Sequence, residues 1–400
     1  MKIQLDNPSP EQIETTVEAW LDQNWDSVAK CEKGKSEYDK TTWLARVRDS
    51  GFAVPTWSEE WYGLGLKPAQ ARIIERAFKK RAAPGTGQDR FHLGAVTVYR
   101  LASKALKEEL LPGLLSGQSN CLLYSEPGAG SDLAGVRTRA ERDGDDYIIN
   151  GQKVWTSNAA ESTFGMLLTR TDWDAPKHKG ISFFIFPMKQ AGVEIKPINQ
   201  ITGESEFNEV FITNGRVPAR YLIGELNEGW KVLQTALAYE RLIMGEGAAQ
   251  GKRRKVRTAR PELVDFAARH GALDNPHLRQ QLAQALAYRQ LNGLNMKRAK
   301  TEIIANGSSS LMSLGKLAMS RIQHGEAKLM AEMLGSKSLL DGGEHPDAEM
   351  MNFNAAKAYM NSIGGGTDQI QRNIISERIL GLPRETEIDR NIAFKDVKNS

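Results

Sequence analysis

The sequence has few of the residues and motifs that mark several common classes of protein. Its 400 residues include only two cysteines, Cys31 and Cys121, which excludes a disulfide framework and a cysteine metal cluster. The six histidines are scattered, so we expect no metal site. No apolar run approaches the ~20 residues that a membrane-spanning helix needs. No Gly-x-Gly-x-x-Gly follows a predicted strand, which argues against a nicotinamide-binding domain.

Two further features bear on compartment and partners. The stretch Met1–Asp6 lacks the apolar core of a secretory signal, so we expect a cytoplasmic protein. The net charge is +4, and five cations fall within Lys252–Arg257. This basic cluster is compatible with a solvated helix face or with a phosphate-rich small ligand, such as coenzyme A or a flavin pyrophosphate. No recognised DNA- or RNA-binding motif accompanies it, so we expect no nucleic-acid partner.

The chain has three successive regions that differ in periodicity. At 400 residues it exceeds what one hydrophobic core usually holds. Helical spacing prevails over residues 1–118, short strands with turns over 119–224, and long helices over 225–400. This order predicts an α+β fold rather than alternating β-α units. We expect an N-terminal helical domain, a small central β-barrel or sandwich, and a C-terminal four-helix bundle.

Local signals place individual elements. Ser9-Pro10-Glu11-Gln12 is a capping box that starts a helix, Gly51 ends a second helix, and Pro68 opens a third. The pairs Asp143-Gly144 and Asn150-Gly151 predict tight turns. The predicted strands are 163–169, 181–188, 193–198 and 209–213. The predicted long helices are 230–268, 277–305, 311–340 and 348–360.

Two segments of the middle region carry residues suited to a ligand. The segment Tyr124–Asp132 reads Tyr-Ser-Glu-Pro-Gly-Ala-Gly-Ser-Asp. Its glycines and serines allow backbone N–H groups and hydroxyls to approach a polar, anionic or heterocyclic ligand. The segment Trp155–Asn158 places an indole beside two hydroxyls, which suits a flat aromatic cofactor. Taken alone, each segment fits an ordinary turn equally well.

The order and wording of these segments resemble the flavin-contacting signatures of the acyl-CoA dehydrogenase family. A third segment, Gly364–Arg372, resembles the third signature of that family. Glu206–Phe211, Val217-Pro218 and Leu222–Glu225 stand where the family closes its middle domain. Matches in the same order extend from about Trp61 to Pro383, which is most of the chain.

The resemblance implies FAD as the cofactor and the α,β-dehydrogenation of an acyl-CoA thioester as the reaction. Ser125 and the backbone of 123–124 would face the isoalloxazine edge, Ser131 would lie near the pyrophosphate, and Thr367 with Gln369 would contact the adenosine. The implied FAD contacts are, in full, Leu123, Tyr124, Ser125, Gly130, Ser131, Trp155, Thr156, Ser157, Thr367 and Gln369.

The resemblance also bears on assembly and partners. Family members share FAD between subunits, so a homodimer, a homotetramer or a mixed tetramer is implied, with an electron-transferring flavoprotein as the electron acceptor. The usual Arg-x-x-Phe, which closes on the pyrophosphate from the partner subunit, is missing from this chain. Arg279, in Asn275–Arg279, is the candidate substitute.

The catalytic base needs a separate argument. Many members carry a Glu directly before the Gly-Thr of the third signature, but this chain has Gly365 there. A minority, including isovaleryl- and long-chain acyl-CoA dehydrogenases, carry the Glu before an Arg on the helix that opens the C-terminal domain. Tyr239-Glu240-Arg241 matches that pattern, so Glu240 is implied as the base. The adjacent Arg241 would either restrain the rise in the pKa of Glu240 or orient the site.

Physical chemistry is consistent with these roles. Apolar neighbours would make the Glu240 carboxylate a stronger base, and the backbone N–H of Gly365 can still polarise the thioester oxygen. Without the resemblance, an ordinary helix Glu paired with a basic residue one turn away would be the preferred interpretation.

The substrate is indicated only by the third signature. Gly364–Gly366 leave space where a Glu and an aromatic often stand, so we expect a branched or bulky acyl group, such as an isoprenoid, cyclic or sterol-side-chain thioester. Ile363–Thr367 together with Leu380–Arg384 resembles the corresponding segments of actinobacterial family members that act on such substrates in lipid and steroid catabolism. The alternatives are a flavin oxidase, a dehydrogenase of carrier-protein thioesters, and one subunit of a mixed tetramer.

Overall fold

A computed structural model describes residues 3, 7–25, 39–247, 262–306, 309–386 and 389–397. These residues form two compact units. The first unit comprises 1–198, 205–243 and 389–400, and the second comprises 199–204 and 244–388. The division into three domains at 118 and 224 stays a prediction. The elements confirm the predicted α+β class, with helices first, a sheet in the middle and helices again.

In the part of the chain that the structure describes, six α-helices precede the sheet, and local signals determine where several of them start and stop. They are α1 (Pro10–Asn24), α2 (Lys40–Ser50), α3 (Pro68–Lys80), α4 (Gln88–Phe91), α5 (Leu93–Leu101) and α6 (Lys104–Leu115). The Ser9 side chain accepts from the Gln12 N–H, so the predicted capping box is confirmed. Gly51 ends α2 with φ of +93°, and Pro68 opens α3 as predicted.

Aromatic residues make much of the core of this helical region. The Trp20 ring packs against Trp43 and Phe52 with centroid separations of 5.5 and 5.3 Å. Trp57, in the loop before α3, stacks on Tyr99 of α5 at 4.0 Å and is buried. Such ring pairs stabilise a fold beyond the area they bury, which is why these indoles lie inside.

Eight strands form one sheet in the order β6-β7-β3-β2-β4-β5-β8, with β1 pairing β4 in parallel. They are β1 (Asn120–Leu123), β2 (Arg139–Asp143), β3 (Asp146–Ser157), β4 (Phe164–Arg170), β5 (Ile181–Pro187), β6 (Val193–Pro197), β7 (Phe207–Pro218) and β8 (Leu222–Ile223). Gly215 of β7 lies so close to the Phe186 ring of β5 that a Cβ there would meet it at 2.9 Å. Because these strands are not hydrogen-bonded neighbours, the sheet folds over on itself around its apolar face.

One of the two predicted tight turns is wrong. Asp143-Gly144 does make the turn between β2 and β3, with Gly144 at φ of +61°. Asn150-Gly151 instead lies inside β3, at an irregularity in its pairing with β7. Gly151 is needed there because a Cβ would come within 2.4 Å of the Thr138 hydroxyl. The Asn150 carboxamide accepts from the Asn214 N–H of β7 and so spans the irregularity.

The remaining helices follow the sheet. They are α7 (Gly229–Gly247), α8 (Leu263–Arg269), α9 (Pro276–Asn306), α10 (Leu311–Leu334), α11 (Pro346–Ile363) and α12 (Asp368–Ile374). Leu263, Phe266, Leu282 and Leu329 belong to the buried apolar cluster of the second unit. Among the helices that the structure describes, none combines the length and apolar character needed to cross a membrane.

Candidate active site

The first predicted ligand-binding segment forms an open loop after β1. Glu126 and Ala129 exchange two backbone hydrogen bonds of 3.1 and 3.0 Å, which makes a tight turn around Pro127-Gly128. The loop then continues through Gly130, Ser131 and Asp132, which are all exposed. A Cβ built on Gly128 or Gly130 meets no atom within 4 Å. The backbone of this loop is therefore accessible to a ligand from outside.

The second segment ends β3 next to that loop. The Val154 N–H donates to the Ser125 carbonyl at 3.0 Å, so the two segments are joined directly. Between them lies a buried ion pair, in which Lys153 Nζ is 2.8 Å from Glu126 Oε1. Lys153 also donates to the carbonyl oxygens of Tyr124 and Leu168 at 3.1 and 2.7 Å. The first segment is thus attached to the strand that carries the second.

Glu126 is held as a carboxylate by its surroundings. Its two oxygens accept from the backbone N–H groups of Arg137 and Thr138 at 2.7 and 2.9 Å. Burial by itself raises the pKa of this carboxyl, but the Lys153 ammonium and these donors outweigh it, and the pKa lies below its usual range. A buried charge with this many donors fixes the loop geometry rather than titrating near neutral pH.

Sequence reasoning missed the structural part that Glu126 and Lys153 play. A signal for it does exist, because Tyr147, Ile149 and Lys153 occupy alternate, inward-facing positions of β3. A lysine on the buried face of a strand requires a partner. The identity of that partner was not readable from the strand alone.

Trp155 presents its indole outward from a strained backbone. It has φ of +61°, which is rare for a bulky residue, and it lies where the pairing of β3 with β7 shifts register. Its side chain is 59 % exposed and meets the Phe207 ring edge-to-face at 6.2 Å. Strain of this kind persists where a specific side-chain direction is required, as at a ligand site.

Thr156 and Ser157 complete the end of the strand. Thr156 is buried, and its hydroxyl oxygen has no hydrogen-bond partner among the residues that the structure describes. Ser157 is exposed. An accessible indole, an unsatisfied threonine hydroxyl and a glycine-lined loop in one unit fit a flat ligand with polar edges and a phosphate-bearing tail.

The third segment lies in the second unit, between α11 and α12. Gly365 and Gly366 have φ of +65° and +88°, so this stretch favours glycine in both places. The replacement of the common Glu by Gly365 therefore agrees with the backbone conformation. Thr367 caps α12 by accepting from the Ile370 N–H at 3.2 Å, and Gln369 is exposed.

Hydrogen bonds of the buried Ser320 and the half-buried Ser362 tie this third segment to α10. Ser320 Oγ lies 2.6 Å from Asp368 Oδ2 and 2.8 Å from Ser362 Oγ, and His324 Nε2 lies 2.6 Å from the same Ser362 hydroxyl. The network holds both ends of the glycine stretch 364–366 on one helix.

The proposed base lies on α7. That helix begins at Gly229, where a Cβ would come within 2.5 Å of the β5 backbone, and its first turns bury Val232, Leu233 and Ala236 in the core. Glu240 follows Ala236 by one helical turn. The side chains of Glu240 and Arg241 lie outside the described part of the chain, as does the whole basic cluster 252–257.

Arg279, the candidate pyrophosphate contact, lies in the first turn of α9. Its guanidinium donates to the Leu273 carbonyl at 3.1 Å, and the side chain is exposed. This bond caps the turn between α8 and α9 and uses one of the five guanidinium donors. The role of Arg279 toward a cofactor stays a prediction.

Comparison with known proteins identifies the whole arrangement. Three family models match consecutive parts of the chain: the acyl-CoA dehydrogenase N-terminal domain over 7–118, the middle domain over 121–214 and the C-terminal domain over 227–380. The chain belongs to the acyl-CoA dehydrogenase family. It is accordingly a FAD-dependent oxidoreductase, and the recognition made from the three segments is confirmed.

Relatives within the acyl-CoA dehydrogenase family span the same length. The Mycobacterium tuberculosis protein named acyl-CoA dehydrogenase IpdE1 is 32% identical over 396 residues, covering 94% of this chain and 99% of the relative. The solved Tcur3481-Tcur3483 steroid ACAD superimposes with a TM-score of 0.69 at 24% identity, covering 95% and 100%. The ChsE4-ChsE5 complex from Mycobacterium tuberculosis superimposes with a TM-score of 0.65 at 26% identity. The match covers 96% of this chain and 100% of the chain in that complex.

Proposed function

We propose that this acyl-CoA dehydrogenase introduces an α,β double bond into an acyl-CoA thioester with a branched or bulky acyl group, using Glu240 as the base. The observation that carries the proposal is the joined pair of segments in the first unit. There the exposed Trp155 indole and the Thr156 hydroxyl, which has no hydrogen-bond partner among the described residues, lie on a strand bonded to an open, glycine-lined loop.

The residues present fit FAD, which the family implies. Trp155, Thr156 and Ser157 would hold the isoalloxazine ring, and Leu123, Tyr124 and Ser125 its edge. Gly130 and Ser131 would hold the pyrophosphate through backbone N–H groups and a hydroxyl. Thr367, Gln369 and Arg279 remain the proposed contacts of the adenosine and pyrophosphate from the helical part. When bound, FAD supplies the two-electron acceptor for the hydride that leaves the β-carbon.

The chain's own residues carry the proton chemistry. Glu240 removes the α-proton, and Arg241 orients the site. The backbone N–H of Gly365 donates to the thioester oxygen, where negative charge develops as the α-proton leaves. Gly365 can serve in this way because a backbone donor needs no side chain, and its φ of +65° favours glycine over a residue with a side chain.

Two observations support a bulky acyl group. Gly364–Gly366 are exposed and carry no side chain into the space beside them. The neighbours in fold include the Tcur3481-Tcur3483 steroid ACAD. We therefore propose a polycyclic or branched acyl-CoA, in lipid or steroid breakdown, over a straight-chain one.

The proposal extends to partners. Two solved relatives carry paired names, Tcur3481-Tcur3483 and ChsE4-ChsE5, which favours a mixed tetramer of this chain with a second acyl-CoA dehydrogenase over a homodimer or homotetramer. An electron-transferring flavoprotein would reoxidise the cofactor. We propose that the enzyme works in the cytoplasm.

The test is anaerobic bleaching of the oxidised flavin absorption with straight-chain, branched and steroid-side-chain acyl-CoAs. The wild type and Glu240→Gln are compared after loading with FAD. We expect the wild type to bleach with the bulky thioesters. The Gln variant should bind FAD but bleach about 10²- to 10⁴-fold more slowly, because this is the rate factor that a general base typically contributes.

Glu228→Gln is the matched control, because Glu228 is an exposed carboxylate beside the first turn of the same helix. It should bleach at the wild-type rate. Equal bleaching of the wild type and Glu240→Gln would show that the base lies elsewhere. Faster bleaching by straight-chain than by bulky thioesters would contradict the proposed substrate class.

A further inference from the structure

After α12 the chain returns to the first unit, and the segment Asp389–Val397 packs on the sheet domain. We call this segment the strap. The Phe394 N–H donates to the Ala175 carbonyl at 3.0 Å, and the Lys395 N–H donates to the Trp173 carbonyl at 2.9 Å. Phe394 is 1 % exposed, so the strap is anchored by a buried ring and by backbone bonds.

The Phe394 ring covers a buried cation. The Arg170 guanidinium carbon is 3.7 Å from the ring centroid, and that of Arg137 is 4.9 Å away. Arg170 is fully buried at the end of β4, and burial lowers its pKa to about 10. A buried guanidinium needs an electron-rich neighbour and hydrogen-bond acceptors, and the ring supplies the first of these.

The acceptors for Arg170 come from the loop that continues the first flavin segment. Its guanidinium donates to the carbonyl of Ala134 at 2.6 Å and to that of Val136 at 3.3 Å. A further bond of 2.7 Å goes to the Lys177 carbonyl. Arg170 therefore holds the backbone just after Asp132, where the loop leaves the proposed pyrophosphate site.

A second contact joins the strap to the same loop. The buried Lys177 ammonium lies 3.2 Å from Asp132 and 3.7 Å from Asp389 of the strap. Asp132 directly follows Ser131, the residue proposed to face the cofactor pyrophosphate. The strap thus acts on the stretch 132–136 through two cations: the Phe394 ring through Arg170, and the Asp389 carboxylate through Lys177.

We propose that the strap is part of the cofactor site: Phe394 and Asp389 are positioning residues that fix the loop 131–136 in the shape that receives the phosphate-bearing part of FAD. The proposal rests on the proposed function, because it assumes FAD at this loop. It assigns a role in cofactor binding to residues that lie outside all three segments that resemble the flavin signatures.

The test compares two ligands on the apoprotein by flavin fluorescence. FAD carries the pyrophosphate and riboflavin does not. For Phe394→Ala we expect the Kd for FAD to rise about tenfold, because the loss of a desolvated cation–π contact changes a Kd by roughly that factor. The Kd for riboflavin should stay unchanged. Phe394→Leu, which keeps apolar volume but has no aromatic face, should show the same selective loss. Asp389→Asn should show a smaller one.

Ile392→Ala is the matched control, because Ile392 belongs to the strap but is 41 % exposed. It should leave both Kd values unchanged. An unchanged FAD Kd in Phe394→Ala, or equal weakening of FAD and riboflavin, overturns the strap proposal while the proposed function stands. A wild-type protein that does not bind FAD overturns the proposed function as well. Far-UV circular dichroism checks that each variant is folded. If Phe394→Ala is unfolded, the FAD and riboflavin Kd values of Phe394→Leu and Asp389→Asn test the proposal instead.

Discussion

The Lys153 ammonium and the Glu126 carboxylate form an ion pair of 2.8 Å inside the sheet domain, with side chains 0% and 8% exposed. Lys153 stands two residues before Trp155, and Glu126 stands two residues after Tyr124. The pair therefore connects the segments Tyr124–Asp132 and Trp155–Asn158 inside the domain, out of reach of solvent. Both charged groups have further hydrogen-bond partners, so that Lys153 donates to three acceptors and Glu126 accepts from three donors.

Replacing Lys153 by Met should strongly destabilise the protein. The change keeps the length of the side chain but leaves Glu126 as a buried charge without its cation, and breaking such a pair costs about 3–5 kcal/mol. Urea unfolding of the apoprotein measures the loss. Lys231→Met is the matched control, because the Lys231–Glu228 pair is exposed and should contribute at most about 1 kcal/mol. Equal unfolding midpoints for the two variants would contradict this account.

Asp89 should make the stability of the protein depend on pH. Its carboxyl is 7 % exposed, and one oxygen accepts from the Thr56 N–H and hydroxyl. The other oxygen has no hydrogen-bond partner among the described residues. Burial raises the pKa of Asp89 despite the Thr56 donors. The stabilising contribution of this group is therefore complete below the unfolded-state pKa of about 3.9 and is lost as pH rises through the folded-state value.

Asp89→Asn removes the charge, so it should stabilise the protein at pH 7 by about 1 kcal/mol. That advantage should shrink as the pH falls through the raised pKa of Asp89, because the wild-type carboxyl then becomes protonated too. Thermal unfolding at intervals from pH 4 to 8 measures the difference. Asp145→Asn, at an exposed position of the β2–β3 turn, should show no such trend. A difference between Asp89→Asn and wild type that is constant with pH would refute the assignment.

Ser320→Ala should loosen the third segment, Gly364–Arg372. The change removes the hydroxyl that joins Asp368 to Ser362 and the hydrogen bonds to both, at a cost of about 1 kcal/mol. Hydrogen exchange of the amides of 363–367 should become faster, while exchange in β3 stays unchanged. Ser336→Ala, at an exposed serine after α10, is the control. Unchanged exchange in 363–367 would show that the network does not hold this stretch.

The sequence was sufficient wherever a signal acts over a few residues. Ser9, Gly51, Pro68 and Asp143-Gly144 each start or end an element as predicted, because capping and turn bonds join neighbours in the chain. The same reasoning failed at Asn150-Gly151. Gly151 is required there by the close approach of Thr138, and the Asn150 side chain accepts a hydrogen bond from Asn214 of β7. Contacts with residues distant in sequence therefore place a turn-like dipeptide inside a strand.

The sequence by itself determined the family, the α+β order of elements and the chemical content of the three flavin segments. These depend on the identity and order of residues, which are local properties. The tertiary structure decided that Lys153 meets Glu126 and that Phe394 covers Arg170. It also decided that Trp155 points outward from a strained strand. Buried charges are stable only with partners, and the partner of each is chosen by how strands and loops far apart in the chain pack together.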